Sequence, residues 1–146
     1  MSAAEKGKVI FRIASYITTS NTLKVPDVEG HAMILFEAKG ITFYEKWGAA
    51  LISQIISFDL TKGAGTYQGY DYTTFPDGST TTNKIEGKTT ATGVGLVTGI
   101  AASEGTWTYV KGTGKFQGIQ GGGTYKQNTV GPGQYYGDFE GEYTLP

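Results

Sequence analysis

The sequence predicts an all-β protein, an antiparallel β-barrel of about eight strands. Three observations carry that expectation. Apolar residues recur with period two in several segments, and these segments follow one another at roughly 8–14-residue spacing with turn residues between them. Glycine supplies 23 of the 146 residues, well above ordinary usage. Period-two alternation marks a strand with one face buried. Glycines inside such strands favour a barrel, because a small closed sheet must coil sharply and a missing side chain permits it.

The elements follow in order. Val9, Phe11, Ile13, Ser15 and Ile17 alternate with Lys8, Ile10, Arg12, Ala14 and Tyr16, so the first strand buries its odd face. Ala32–Glu37 and Ile41–Trp47 read as strands, with Lys39 and Gly40 as the turn or bulge between them. Trp47–Phe58 fits a helix, because Leu51, Ile55 and Phe58 fall at helical spacing, and fits a buried strand equally well. Gly65–Phe75 and Ser79–Thr90 form a long hairpin. At its turn Pro76 presets φ and Gly78 accepts a positive φ. Thr80–Thr82 and Thr89–Thr90 have the β-branched stiffness of strands, and Val94–Ala101 is read as a further strand.

Gly105, Trp107 and Tyr109 alternate with Thr106 and Thr108. At the end of the chain Tyr135, Gly137, Phe139, Gly141 and Tyr143 alternate with Gln134, Tyr136, Asp138, Glu140 and Glu142. A step of glycine, polar residue and aromatic recurs at Gly65–Tyr67, Gly105–Trp107, Gly123–Tyr125 and Gly141–Tyr143. It reads as consecutive strands of one sheet, each pairing a glycine with a nearby inward aromatic. The whole is expected to be one domain, 1–146, with residues 1–7 as a flexible tail.

Composition removes several function classes. The formal net charge of −1 provides no basic face for nucleic acid. With no cysteine there is no disulfide, thiolate nucleophile, CxxC pair or cysteine-ligated metal. The single histidine, His31, rules out a histidine-rich metal site, and neither a metal nor a cofactor is expected. His31 opens a strand, where a partly exposed structural histidine is the ordinary reading and a catalytic base the rarer one. The polar Met1–Lys8 has no signal-type apolar core, and Gly48–Leu60 is too short and polar for a membrane helix. A cytoplasmic protein without membrane contact is expected.

The segment Gly112-Thr-Gly-Lys-Phe-Gln-Gly-Ile-Gln-Gly-Gly-Gly-Thr-Tyr125 is not a phosphate loop. Its glycines at 112, 114 and 118 lack dinucleotide spacing before a helix, and Lys115 precedes Phe116 rather than serine or threonine. It reads instead as a tight crossover between strands, with Phe116 and Ile119 plugging one end of the core. With Glu104–Val110 before it, this segment resembles the allene oxide cyclase-like and dirigent-like barrel proteins. The hairpin Tyr70–Ser79 with Glu86-Gly87 is similar to bacterial uncharacterised members of that group. The resemblance covers residues 65–128 and implies an eight-stranded antiparallel, calycin-like barrel with a central cavity, and a homo-oligomer, trimer or dimer. It transfers no catalytic residue.

The candidate site residues follow from parity. Trp107, Tyr109, Tyr125, Phe139 and Tyr143 share the apolar face and line a cavity or simply fill the core. Tyr70 and Tyr72 share one face of their strand and are further ligand candidates, while Tyr67 and Asp71 take the other face. Glu37 and Asp71 are the carboxylates that burial would turn into an acid or base. Three readings stay open: a barrel binding a hydrophobic small molecule, a cofactor-free isomerase or cyclase, and a ligand-free structural or oligomeric protein. Ile10, Ala14 and Tyr16 on the outer face of the first strand add a hint of assembly, unless Trp47–Phe58 folds over them.

Overall fold

In the computed structural model, which describes residues 4–92 and 100–146, the alternating segments become the staves of a closed barrel. The strands are β1 (Glu5–Lys24), β2 (His31–Tyr44), β3 (Gly48–Thr61), β4 (Ala64–Thr74), β5 (Thr80–Thr92), β6 (Ile100–Thr113), β7 (Gln120–Gly131) and β8 (Gln134–Leu145). Each is antiparallel to the next, and β8 closes on β1 with Phe11 opposite Phe139. One 3-10 turn, Gly114–Phe116, interrupts the β6–β7 connection. Among the described residues no helix is long and apolar enough to cross a membrane.

The parities expected for β1, β6 and β8 hold. Val9, Phe11 and Ile13 face inward, as do Trp107, Tyr109, Tyr135, Phe139 and Tyr143. The β4–β5 turn also forms as read: Gly78 has φ +88°, and the Phe75 and Ser79 backbones close the loop at 2.9 Å.

Two expectations need correction, one of two open readings falls, and one expectation lies mostly outside the described residues. Of the two readings of Trp47–Phe58 the strand holds and the helix does not; from Gly48 the segment belongs to the wall strand β3, held on both sides by β2 and β4, and does not fold over the outside. Two complete ladders of backbone hydrogen bonds override a helical spacing of three residues. The pair Lys39 and Gly40 makes no turn, because β2 runs unbroken through it. Gly40 is required there by close approach: a Cβ would collide with the Ala14 carbonyl of β1. Within the expected tail, Glu5–Gly7 already belongs to β1, with Glu5 opposite Leu145. The strand expected at Val94–Ala101 falls mostly on residues 94–99, outside the described residues; β6 is described from Ile100.

An eight-stranded barrel is just wide enough for side chains to fill it. Here the filling is aromatic. Phe139 stacks on Phe11 at 4.9 Å and on Tyr125 at 4.5 Å between centroids, and Trp107 meets Phe11 edge-on at 5.2 Å. Such large rings fit because glycines face them across the ladder. Tyr67 opposes Gly87, and Tyr125 opposes Gly105. A Cβ on Gly87 would lie 2.6 Å from the Tyr67 ring, and one on Gly105 would lie 2.7 Å from the Tyr125 hydroxyl. Trp107 reaches past its partner Gly123 to cover Gly141 on β8, where a Cβ would lie 2.8 Å from its ring. The expected pairing of strand glycines with inward aromatics is therefore the packing rule of the interior.

One end of the barrel is sealed. Trp47, from the β2–β3 turn, contacts Phe116 at 4.8 Å and Tyr143 at 5.0 Å, and Phe75 contacts Phe116 at 4.6 Å. Phe116 and Ile119 plug this end as the sequence suggested. The other end carries the β1–β2, β3–β4 and β7–β8 turns; among the described residues no such aromatic plug closes it, and this end is the mouth.

Phe139→Ala is expected to cost about 3–5 kcal/mol in urea denaturation, the usual range for a buried aromatic. A cost below about 1 kcal/mol would show that the ring is not part of the core. Gly123→Ala, whose Cβ meets the Glu140 carbonyl of the neighbouring strand, is expected to destabilise the fold although the side chain added is only a methyl.

Candidate functional site

Polar side chains interrupt the aromatic filling in one band. Gln54 on β3 is the ladder partner of Asp71 on β4, which is the partner of Asn83 on β5, which is the partner of Tyr109 on β6. Because register partners share a face, these four side chains form a row around the inside of the wall. Thr73 and Thr81 make a second pair beside it, and Thr42 and Ser15 add hydroxyls from β2 and β1.

Asp71 is the centre of this belt. It is 0% exposed. Gln54 donates from Nε2 to Asp71 Oδ1 at 2.8 Å, and the Tyr135 hydroxyl, reaching across from β8, donates to Gln54 Oε1. Among the described residues Asp71 Oδ2 has no partner. The hydroxyls of Tyr44 and Tyr109, those of Ser15, Thr42 and Thr81, and Asn83 Oδ1 are also buried without one. Burial pushes the Asp71 carboxyl up to about 7, and only the Gln54 hydrogen bond opposes the shift. Asp71 therefore exchanges its proton near neutrality. Burial pushes the hydroxyls of Tyr44, Tyr109, Tyr125 and Tyr135 up as well, so all four stay protonated.

Between the belt and the mouth, Tyr67 and Tyr125 share a hydrogen bond through their hydroxyls, and Tyr67 donates to Ser103 Oγ at 3.1 Å. A small cavity of about 20 Å³ opens at the mouth, bordered by Ile17, Phe36, Phe58, Tyr67, Ser103 and Tyr135. It is large enough for about one water molecule. A much larger concavity, about 1020 Å³, lies over the outer face of β5–β8 among Glu86, Lys88, Glu104, Lys126 and Glu140. It is an open groove in a charged surface, and none of the belt residues reaches it.

The candidates from sequence divide accordingly. Trp107, Tyr109, Tyr125, Phe139 and Tyr143 all lie inside. Trp107 Nε1 is held by the Glu140 carbonyl at 3.1 Å, and the Tyr143 hydroxyl by Glu5 at 2.8 Å, so both are anchored in the wall. Tyr70 and Tyr72 are not interior residues. They point outward, 51% and 49% exposed, because the register with Gln54 turns Asp71 and its odd-numbered neighbours inward. Glu37 is also on the outer face, where Thr18 donates to it at 3.2 Å. Of the two carboxylates only Asp71 meets the conditions for an internal acid or base. His31 lies at the start of β2 with its ring between Asp27 and Asp59, 2.6 Å from each, and those two carboxylates raise its pKa. It ties the β1–β2 turn to β3 and stands apart from the belt.

Parity set Tyr135 on the inner face of β8, as found, without marking it as a site residue, and it missed Gln54, Asn83 and Tyr44. A signal for Gln54 was present: it is the one polar residue at an inward position of β3, between Ile52 and Ile56. No family model, curated protein or solved structure matches this chain.

The Asp71 carboxyl binds its proton more tightly in the folded chain, at about 7, than at its ordinary 3.8. The folded state is thus favoured fully below pH 3.8 and loses that advantage as pH rises through 7. The loss amounts to roughly 4 kcal/mol. Asp71→Asn keeps an acceptor for Gln54 and cannot ionise, so the gap between variant and parent stability is expected to widen in favour of the variant between pH 4 and 8. Parallel denaturation midpoints across that range would refute the assignment.

Proposed function

We propose that this chain is a small-molecule-binding barrel, whose ligand enters at the mouth and presents a polar group to the Asp71 belt. The observation that carries this reading is the set of buried interior oxygens, Asp71 Oδ2 with them, that have no partner among the described residues. Each unpaired buried polar group costs about 1–3 kcal/mol, so the belt is stabilised by whatever completes it. The aromatic surroundings favour a largely apolar ligand with a hydroxyl or carbonyl head. Phe58, Tyr67 and Tyr135 must rotate to admit it, because the cavity at the mouth is only about 20 Å³. The resemblance of Gly112–Tyr125 to the allene oxide cyclase-like barrels supports the same reading.

A second reading, a cofactor-free isomerase, is favoured by one further observation. A wholly buried carboxyl at about 7 matches the working pH of a general acid or base. In such an enzyme Asp71 would move a proton between two positions of a bound substrate, with the tyrosine hydroxyls supporting charge on its oxygen. Turnover separates the two readings.

Native mass spectrometry of the protein as purified tests binding. The expected result is a small organic adduct that disappears on denaturation. Occupancy should fall about tenfold or more in Asp71→Asn, in line with loss of a hydrogen bond to a charged group. The bare chain mass under native conditions would favour a filled barrel without a ligand, and an adduct indifferent to Asp71 would place the ligand away from the belt and overturn this reading.

A further inference from the structure

The outer surface has two unlike halves. Over β5–β8 it carries Lys84, Glu86, Lys88, Glu104, Lys126, Asp138, Glu140 and Glu142 at outward positions. Over β2–β4 it carries Ile41, Phe43, Leu51, Ile55, Tyr70 and Tyr72, each between 42% and 66% exposed. These six lie side by side. Ile41 is the ladder partner of Leu51, and Ile55 that of Tyr70, while Tyr72 pairs with Ser53 between Leu51 and Ile55. From strand spacing and rise, the face with its side chains measures roughly 20 by 26 Å. That is about 500 Å², the larger part of the ~800 Å² per partner that a specific complex buries. A contiguous apolar face of this extent marks a contact surface.

The charges within the face identify the occupant. Lys39 and Glu37 stand two residues apart on the outward side of β2, beside Ile41. Neither forms an ion pair among the described residues. In a contact between identical faces, residue i of one copy meets j of the other, and j meets i. A two-fold axis passing between Lys39 and Glu37 sets each lysine over the partner's glutamate, twice, among the exposed Leu35, Ile41, Leu51 and Ile55. We propose that two copies of this chain pack face to face through the outer sides of β2–β4 about such an axis. Ala14 and Tyr16 border the face from β1 as ladder partners of Ile41 and Lys39. Ile10 lies outside it, opposite Glu140.

Sedimentation velocity at micromolar concentration tests the assembly. The expected species has twice the 15.6 kDa chain mass. Leu51→Glu is expected to give the single-chain mass with an unchanged far-ultraviolet circular dichroism spectrum, because the side chain is 66% exposed and supports nothing inside. Lys39→Glu and Glu37→Lys should each raise the dissociation constant about tenfold or more by setting like charges together. The double exchange Lys39→Glu with Glu37→Lys should restore it to near the parent value. A single-chain mass for the parent overturns the proposal, and so does a trimer. A dimer that survives Leu51→Glu, or a double exchange no better than the single ones, overturns the face or the axis.

Discussion

Aromatic rings seated on glycines across the β-ladder are the constraint on which the rest of this barrel depends. Eight strands enclose a space that side chains must fill, and this chain fills it with Phe11, Trp107, Tyr125, Phe139 and other rings. A ring of that size, pointing inward from one strand, occupies the volume that a Cβ on the facing strand would need. Tyr67 over Gly87 and Tyr125 over Gly105 are two instances of one solution, and Trp107 extends it across Gly123 to Gly141. The glycine removes the clash and lets the strand coil, while the ring buries the exposed backbone and restores the lost contact. Glycine content, aromatic content and barrel closure are therefore one property, and a change in any of them acts on the other two.

The belt around Asp71 is possible because that filling makes the interior dry. In water its carboxyl would lose its proton near the usual value; enclosed by rings, with Gln54 as its single donor, it holds the proton to about 7. The same enclosure is what makes the unpaired hydroxyls of Tyr44 and Tyr109 costly. A core built only for stability is served better by apolar residues at these positions. The polar row Gln54, Asp71, Asn83 and Tyr109 is thus the part of the interior that stability alone does not account for, and the part to which a ligand or a proton-transfer chemistry can be assigned.

The sequence made the fold legible wherever one face of a strand met water, because alternation then appears directly in residue types. That condition held for β1, β6 and β8, and the β4–β5 turn was marked by Pro76 and Gly78. It failed for β3, whose outward face carries Leu51 and Ile55 and so shows no polar side. Gly40 was read as a turn because a strand glycine needed for close packing and a turn glycine look alike until the neighbouring strand is in place. The site was legible only as a residue: Asp71 was named, but its partners lie on other strands and are joined to it by register. Tyr70 and Tyr72 misled for the related reason that an apolar outer face imitates an inner one.

The most direct test of this account is the titration of the Asp71 carboxyl itself, followed by the ¹³C resonance of its side-chain carbonyl in specifically labelled protein. A midpoint near 7, with Asp27, Asp77 and Asp138 titrating below the ordinary carboxylate range, is the result predicted for a carboxyl enclosed in a dry, ring-filled barrel. A midpoint near the ordinary 3.8 would mean that water reaches Asp71 freely, and would contradict both the filled interior and the site built within it.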